Sequence, residues 1–315
     1  MNHLRQAVRI GHDQRSIPDG QPEPLRVQIL GGFQVSVGLR TIEEDEWRLR
    51  KVKSLIKLLA LSPRHSLHRE QVMEALWPDL SPTAAANNLR YSLHNARRTL
   101  EPVPATHCRY LRLHDELLEL YPTGPLWLDV EAFEDATLKA RRARDPLYYE
   151  AAIALYAGDL LPEDRYATWA ERWREELRRT YLDLLFELAE CYEESEEFGL
   201  AIDALRRIVA SEPTYQGAHV QLMRIYALSG RCQAALRQYE QFRKILLREL
   251  GTEPDGASHH LYEEILAGWN SSSKPVLAGR GTRPRALAEG TIRPSREPAS
   301  SDASASWWRS RGPSR

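Results

Sequence analysis

Leu188, Tyr192, Ala201 and Leu205 recur 34 residues later as Leu222, Tyr226, Ala235 and Tyr239, keeping the order large, aromatic, small, large. A helix pair of this kind cannot bury its apolar face alone, so a repeat of that length has to stack on a neighbour as a helical solenoid. The second copy departs from the first, because the counterpart of Pro213 is Pro254 and not position 247. A longer last helix follows, running through EQFRKILLREL to Gly251, which can take the left-handed conformation past a helix end. Upstream, DPLYYEAAIALYAGDLLPED (145–164) and WAERWREELRRTYLDLL (169–185) read as further helices that fit the stack.

The N-terminal half follows different periods. LRVQILGGFQVSV alternates, with Leu25, Val27 and Ile29 on one side and Phe33, Val35 and Val37 following after Gly31-Gly32. That pattern predicts a hairpin turned at the two glycines. LRKVKSLIKLLALS then sets Val52, Leu55, Ile56, Leu59 and Ala60 at helical spacing, and LHREQVMEALWP does so with Val72, Ala75, Leu76 and Trp77 until Pro78 stops it. A third helix, 82–100, opens with Ser81 as N-cap and Pro82 in the first position, where its missing N–H costs nothing. RYLRLHDELLELY offers two short strands around the turn His114-Asp115-Glu116.

The expected fold class is therefore mainly α with small β: strands, three helices and a hairpin at 25–122, then an all-α helical-repeat domain at 129–268. Residues 1–24 and 270–315 are polar and punctuated by Pro and Gly, and are expected to be disordered. Trp127, Trp169 and Trp173 are expected in the core.

The formal net charge of −1 hides an asymmetry. From Trp47 to Leu113 there are 12 Lys and Arg against 4 acids, whereas acids outnumber bases about two to one from Asp129 to Leu200. Opposite fields on two halves suggest two tasks. The apolar runs fall short of the roughly 18 residues a membrane helix needs, and the N-terminus lacks a signal peptide's apolar centre, so a cytoplasmic protein with no membrane partner is expected. Cys108, Cys191 and Cys232 stand apart and propose neither disulfides nor zinc. Phosphate-loop, metalloprotease and nucleophile-elbow motifs are missing, so no catalytic residue and no cofactor is expected. His259-His260 lies beside Glu263 and Glu264 without a third ligand cluster, and no metal is assigned to it.

Residues 81–100 contain no acid. At 100° per residue, Leu89, Leu93, Ala96 and Leu100 share a narrow arc that must face a core. Asn87, Tyr91, His94 and Arg98 fall opposite, flanked by Arg90, Arg97 and Asn95. Asn matches adenine and Arg guanine in bidentate fashion, Tyr and His reach backbone oxygens or stack, and any acid on that face would repel a polyanion. The third helix of a three-helix array with this composition is what a recognition helix needs, and the amides after Ser81 form a seat for a phosphate. Lys51, Lys53, Lys57 and Arg69 offer further cations, although lysine on a helix face is usually only solvated.

With both halves read, the chain resembles the Streptomyces antibiotic regulatory protein family, whose members join an OmpR-type winged helix-turn-helix to a bacterial transcriptional activator domain. The matching segments are LRVQILGGFQV, RKVKSLIKLLAL, LWPDLSPTAAANNLRYSLHNARRTL, LDVEAF, LYAGDLLPED, WAERWREELRR and LLRELGTEPDGASHHLYEEIL, in family order across about 25–268. The resemblance implies a regulator that binds repeated promoter elements in double-stranded DNA, as a homodimer, and helps recruit RNA polymerase. On that reading Asn87, Arg90, Tyr91, His94 and Arg98 face the bases, while Ser81, Arg97, Arg109 and Arg112 hold phosphates. The acidic wing tip departs from the pattern of a minor-groove contact. No receiver domain precedes the winged helix, so control independent of a phosphorelay is expected. A second reading stays open: a helical-repeat module for a basic protein partner, with a winged domain that does not bind DNA.

Overall fold

The computed structural model describes residues 23–101, 109–121, 124 and 126–272. The expectations for residues 1–22, Cys108 and the tail beyond 272 lie outside the described residues. In chain order the elements are β1 (Leu25–Gln28), β2 (Gln34–Val37), β3 (Arg40–Ile42), α1 (Arg50–Leu61), β4 (Ser66–His68), α2 (Arg69–Leu76), α3 (Pro82–Leu100), β5 (Leu111–His114), β6 (Leu117–Leu120) and β7 (Leu126–Leu128). Helices α4 (Asp129–Ala143), α5 (Pro146–Leu155), α6 (Thr168–Glu194), α7 (Phe198–Ser211), α8 (Gln216–Leu228), α9 (Cys232–Glu249) and α10 (Gly256–Ser272) follow. The described chain divides into two compact units, one through Ala218 and one from His219.

In the first unit, one sheet has the order β3-β2-β1-β7 and a second the order β4-β6-β5. The first hairpin is antiparallel in the register Leu25↔Val37 to Gln28↔Gln34. Its connection is five residues long, from Ile29 to Phe33, and not the two-residue glycine turn that the alternation suggests. The extra length serves a second contact. Leu30 bridges Leu160, Gly31 N–H donates to the Asp159 carbonyl at 3.0 Å, and Leu161 N–H donates to the Ile29 carbonyl at 2.9 Å. Gly31 has φ +79°, and a Cβ there would stand 3.0 Å from the Ala157 carbonyl group. A Cβ on Gly158 would meet the Gly31 Cα at 3.0 Å, so the two backbones approach at a distance that only glycines allow.

The docked segment also corrects the helix expected over 145–164, because α5 stops at Leu155, the Tyr156 N–H makes the last bond back to the Ile153 carbonyl, and the chain then leaves the helix to reach β1. Strand β7 joins β1 in parallel, Leu25↔Leu126 to Val27↔Leu128, and Asp129 follows it directly. The Asp129 Oδ2 accepts the N–H groups of Ile29 and Leu30, both at 2.8 Å, and Oδ1 accepts that of Val130 at 2.9 Å. Burial pushes this carboxyl above its ordinary range against the pull of those backbone bonds.

Helix α1 is buried along most of its length by Val52, Leu55, Ile56, Leu59 and Ala60, as its spacing predicts. Lys57 lies on the same helix and is only 1% exposed. Its ammonium donates to Glu163 Oε1 and Asp164 Oδ2, each at 2.6 Å, and sits 4.6 Å from the centre of the Phe33 ring. Arg50 Nη2 reaches the other Asp164 oxygen at 3.0 Å. Burial raises the Asp164 carboxyl, but the hydrogen bonds and charges of Lys57 and Arg50 outweigh it and hold the group below the ordinary carboxylate range.

Helices α6 and α7 form the first repeat, burying Leu188, Tyr192, Ala201 and Leu205. In the second unit Tyr239 stacks on Tyr262 with ring centres 4.4 Å apart, joining α9 to α10, and Phe242 stacks on His219 at 4.4 Å. Helix α9 ends as expected, with Gly251 at φ +68° just past it. Trp127, Trp169 and Trp173 are half-buried, in contrast to the core placement expected of them. The Arg26 guanidinium lies over the Trp127 ring, 4.5 Å from its centre.

Two predictions follow from these contacts. Lys57→Met leaves a buried carboxylate short of a partner and is expected to cost about 3 kcal/mol in urea unfolding at neutral pH. Because Asp164 titrates lower when folded, its contribution is present above about pH 4 and is lost as pH falls through the folded value; the variant should show a shallower acid transition. A chain ending at residue 122 lacks β7, Asp129 and the 157–164 segment, so it should unfold at lower urea than a chain ending at residue 218.

Candidate nucleic-acid interface

Helix α3 begins where the sequence predicts. The Ser81 hydroxyl accepts the Ala84 N–H at 3.4 Å, and Pro82 occupies the first helical position. Ala85, Leu89, Leu93, Ala96 and Leu100 are buried, which secures this side of the helix through apolar burial of about 2 kcal/mol per leucine. The opposite side carries Asn87, Arg90, Tyr91, His94 and Arg98, all exposed, with Tyr91 at 60%. Their one mutual contact among the described residues is a long bond, 3.4 Å, from Arg90 Nη1 to Asn87 Oδ1. Asn95 is not part of this face. It is 8% exposed, and its amide donates to the Tyr91 carbonyl at 2.8 Å, one turn back.

The predicted phosphate contacts fall into a different class. Arg97 is half-buried and its Nε donates to the Leu111 carbonyl at 3.1 Å, tying α3 to the first wing strand. Arg112 pairs along the wing with Glu119, at 2.8 Å through Nε and 2.6 Å through Nη2. The backbone N–H of Arg109 donates to the Glu101 carboxylate at 3.2 Å, with its guanidinium 3.9 Å away. Ser81 is exposed at the helix start and engaged as its cap. The further cations are used internally as well. Lys51 donates to the Leu76 carbonyl, Lys53 pairs with Glu44, Lys57 is buried, and Arg69 pairs with Glu116 at 2.9 Å.

Arg98, Arg48 and Arg64 have no side-chain hydrogen bond or ion pair among the described residues, and all three are exposed. Arg48 lines the same cleft as Arg98, together with Asp45, Glu46, Asn95 and Thr99. Sequence reasoning passed over Arg48 and Arg64, since nothing in composition distinguishes an arginine that finds an acid from one that does not.

The wing turn places Asp115 at φ 47° and Glu116 at φ 68°, the pair of positive values that a tight hairpin requires. One tip carboxylate is drawn back to Arg69 of α2, and His114 sits 3.0 Å from Asp115. The acids expected at the tip are thus present, with Glu116 neutralised by a neighbour. Among the described residues no group of three metal-ligating side chains occurs, and no helix is long and apolar enough to cross a membrane. His259 and His260 pair with Glu263 and Glu264 one turn on, at 3.3 and 3.4 Å.

Residues 128–266 match the family described as bacterial transcriptional activator domain. The transcriptional regulatory protein MoaR1 of Mycobacterium tuberculosis is 25% identical over 242 residues, covering 75% of this chain and 77% of that protein. The regulatory protein DnrI of Streptomyces peucetius is 25% identical over 231 residues, covering 69% of this chain and 84% of its own length. Among solved structures, Mycobacterium tuberculosis EmbR, determined in complex with a low affinity phosphopeptide, matches with a TM-score of 0.65 at 19% identity, over 78% of this chain and 66% of that one. That likeness is one of fold: a winged helix-turn-helix followed by a helical domain. The relatives matched in sequence are regulatory proteins. Residues 128–266 thus carry a bacterial transcriptional activator domain, in a chain that is similar over about three quarters of its length to transcriptional regulatory proteins of Mycobacterium and Streptomyces.

Proposed function

We propose that the protein is a sequence-specific regulator that lays α3 in the major groove of double-stranded DNA. The observation that carries this reading is the exposed stripe Asn87, Arg90, Tyr91, His94 and Arg98, chemically matched to base edges and left without acid partners. Burial of the opposite face fixes the helix, so these side chains are presented on a rigid support. Ser81, Arg97, Arg109 and Arg112 hold the phosphate backbone in this reading. The acids now facing Arg109 and Arg112 act as placeholders, since an exposed ion pair is worth about 0–1 kcal/mol and a phosphate readily replaces it. Family resemblance supports repeated promoter elements as the target, activation through RNA polymerase, and the domain at 129–268 as the source of dimerisation and polymerase contact.

Base contacts and phosphate contacts separate on mutation. Asn87→Ala and Arg98→Ala should each cost about 1–3 kcal/mol on a duplex enriched by the wild-type protein, and much less on scrambled DNA. Arg109 has a half-exposed guanidinium with no tie to α3 among the described residues, so Arg109→Ala should weaken both duplexes alike and reduce the salt slope by about one. Fluorescence anisotropy across a salt series reads both quantities. Equal losses on the two duplexes from all three variants would refute the assignment, and a wild-type protein that shows no salt-sensitive DNA retention would remove the reading altogether.

A further inference from the structure

The last turn of an α-helix leaves carbonyl oxygens without intrahelical donors. At the end of α3 they are met from a strand 59 residues earlier in the chain: Arg40 Nη2 donates to the Thr99 carbonyl at 2.6 Å and lies 3.4 Å from that of Leu100. The other arm, Nη1, donates to Glu46 Oε2 at 3.0 Å, with the arginine side chain 36% exposed. Glu46 is itself held, because its Oε1 accepts the Glu43 N–H at 2.9 Å and its carbonyl lies 3.3 Å from the Thr99 hydroxyl. Arg40, Glu46 and Thr99 therefore form a closed triangle between β3, the short turn at 44–46 and the end of α3. A guanidinium suits this place, since it complements the negative end of the helix and its planar fork spans two acceptors at once.

We propose that Arg40 is a positioning residue for sequence recognition, setting where the C-terminal end of α3 sits against the first sheet. The N-terminal end of the helix is secured by its own cap at Ser81, whereas the C-terminal end is tied sideways to the sheet by Arg40 and to the wing by Arg97. Arg98 lies one residue before the clamped carbonyl of Thr99, and His94 about one turn earlier. Bidentate base contacts tolerate misplacement of only about 0.5 Å, while phosphate contacts adapt, so loss of the clamp affects reading more than holding. The inference rests on the major-groove reading proposed above.

The test uses the full chain and two duplexes, one enriched by the wild-type protein from a random pool and one scrambled from it. Arg40→Ala is expected to weaken the enriched duplex by about tenfold, to change the scrambled one less than about twofold, and to leave the salt slope unaltered. Arg40→Lys keeps the charge and one donor at the helix end and should recover most of the loss. Circular dichroism at the assay temperature must show the same helix content for each protein compared; should Arg40→Ala fail to fold, Arg40→Met, which keeps the length of the side chain without its donors, decides against wild type, with the same loss expected on the enriched duplex alone. Equal weakening of both duplexes, a salt slope lowered by about one, or no loss on the enriched duplex overturns the inference while the DNA reading stands. Enrichment of no sequence by the wild type overturns both.

Discussion

An ammonium group that is 1% exposed has to be neutralised where it sits, and the position of Lys57 dictates much of the first unit. Its two carboxylate partners come from residues 163 and 164, more than 100 residues away in sequence, so α1 and the segment after α5 are placed together or not at all. Helix α1 packs against both α2 and α3. The same segment closes over β1 through Gly31 and Gly158, and Asp129 secures the loop from the other side. The winged helix is thus completed by residues that follow it. Its scaffold is anchored to the first part of the activator domain through buried polar contacts, which are costly to break singly.

Against that anchored scaffold, the cations of the N-terminal half divide by use. Those that find a carboxylate or carbonyl and carry no proposed phosphate contact, such as Lys51, Lys53 and Arg69, shape the domain. Those left without one among the described residues, such as Arg48, Arg64 and Arg98, keep a positive field facing outward. A raw count of basic residues therefore overstates what is available to a polyanion. The exposed Asn87 and Tyr91 of α3 matter more in proportion, because the long bond from Arg90 to Asn87 is the one internal side-chain bond they make among the described residues.

Helix α3 was legible to the residue, since Ser81-Pro82 starts it and an uninterrupted helical spacing carries it to Leu100. The wing was legible for a similar local reason: alternating residues flank a polar turn. Strands β3, β4 and β7 were not, being three residues each; β4 and β7 are also defined by partners far away, as when Leu126 pairs with Leu25. At 100° per residue Asn95 lies as far from the apolar arc as His94, yet it is buried with its amide on the Tyr91 carbonyl, an outcome that helix spacing alone does not show. The expected helix over 145–164 overran because it follows the apolar spacing past the local stop signals, Gly158 and Pro162. What ends it is the close approach of Gly158 to Gly31.

By itself, the sequence determined the periods: two in the strands, 3.6 in the helices, 34 in the repeat, and with them which face of each helix turns inward. These follow from side-chain spacing along a single element, a local property. Only the tertiary structure decided which charges are paired, how the glycine-rich loop is spent, and that a strand residue, Arg40, closes the end of α3. Each of these depends on groups distant in sequence meeting within hydrogen-bond distance, where burial and geometry select one partner from many of like chemistry.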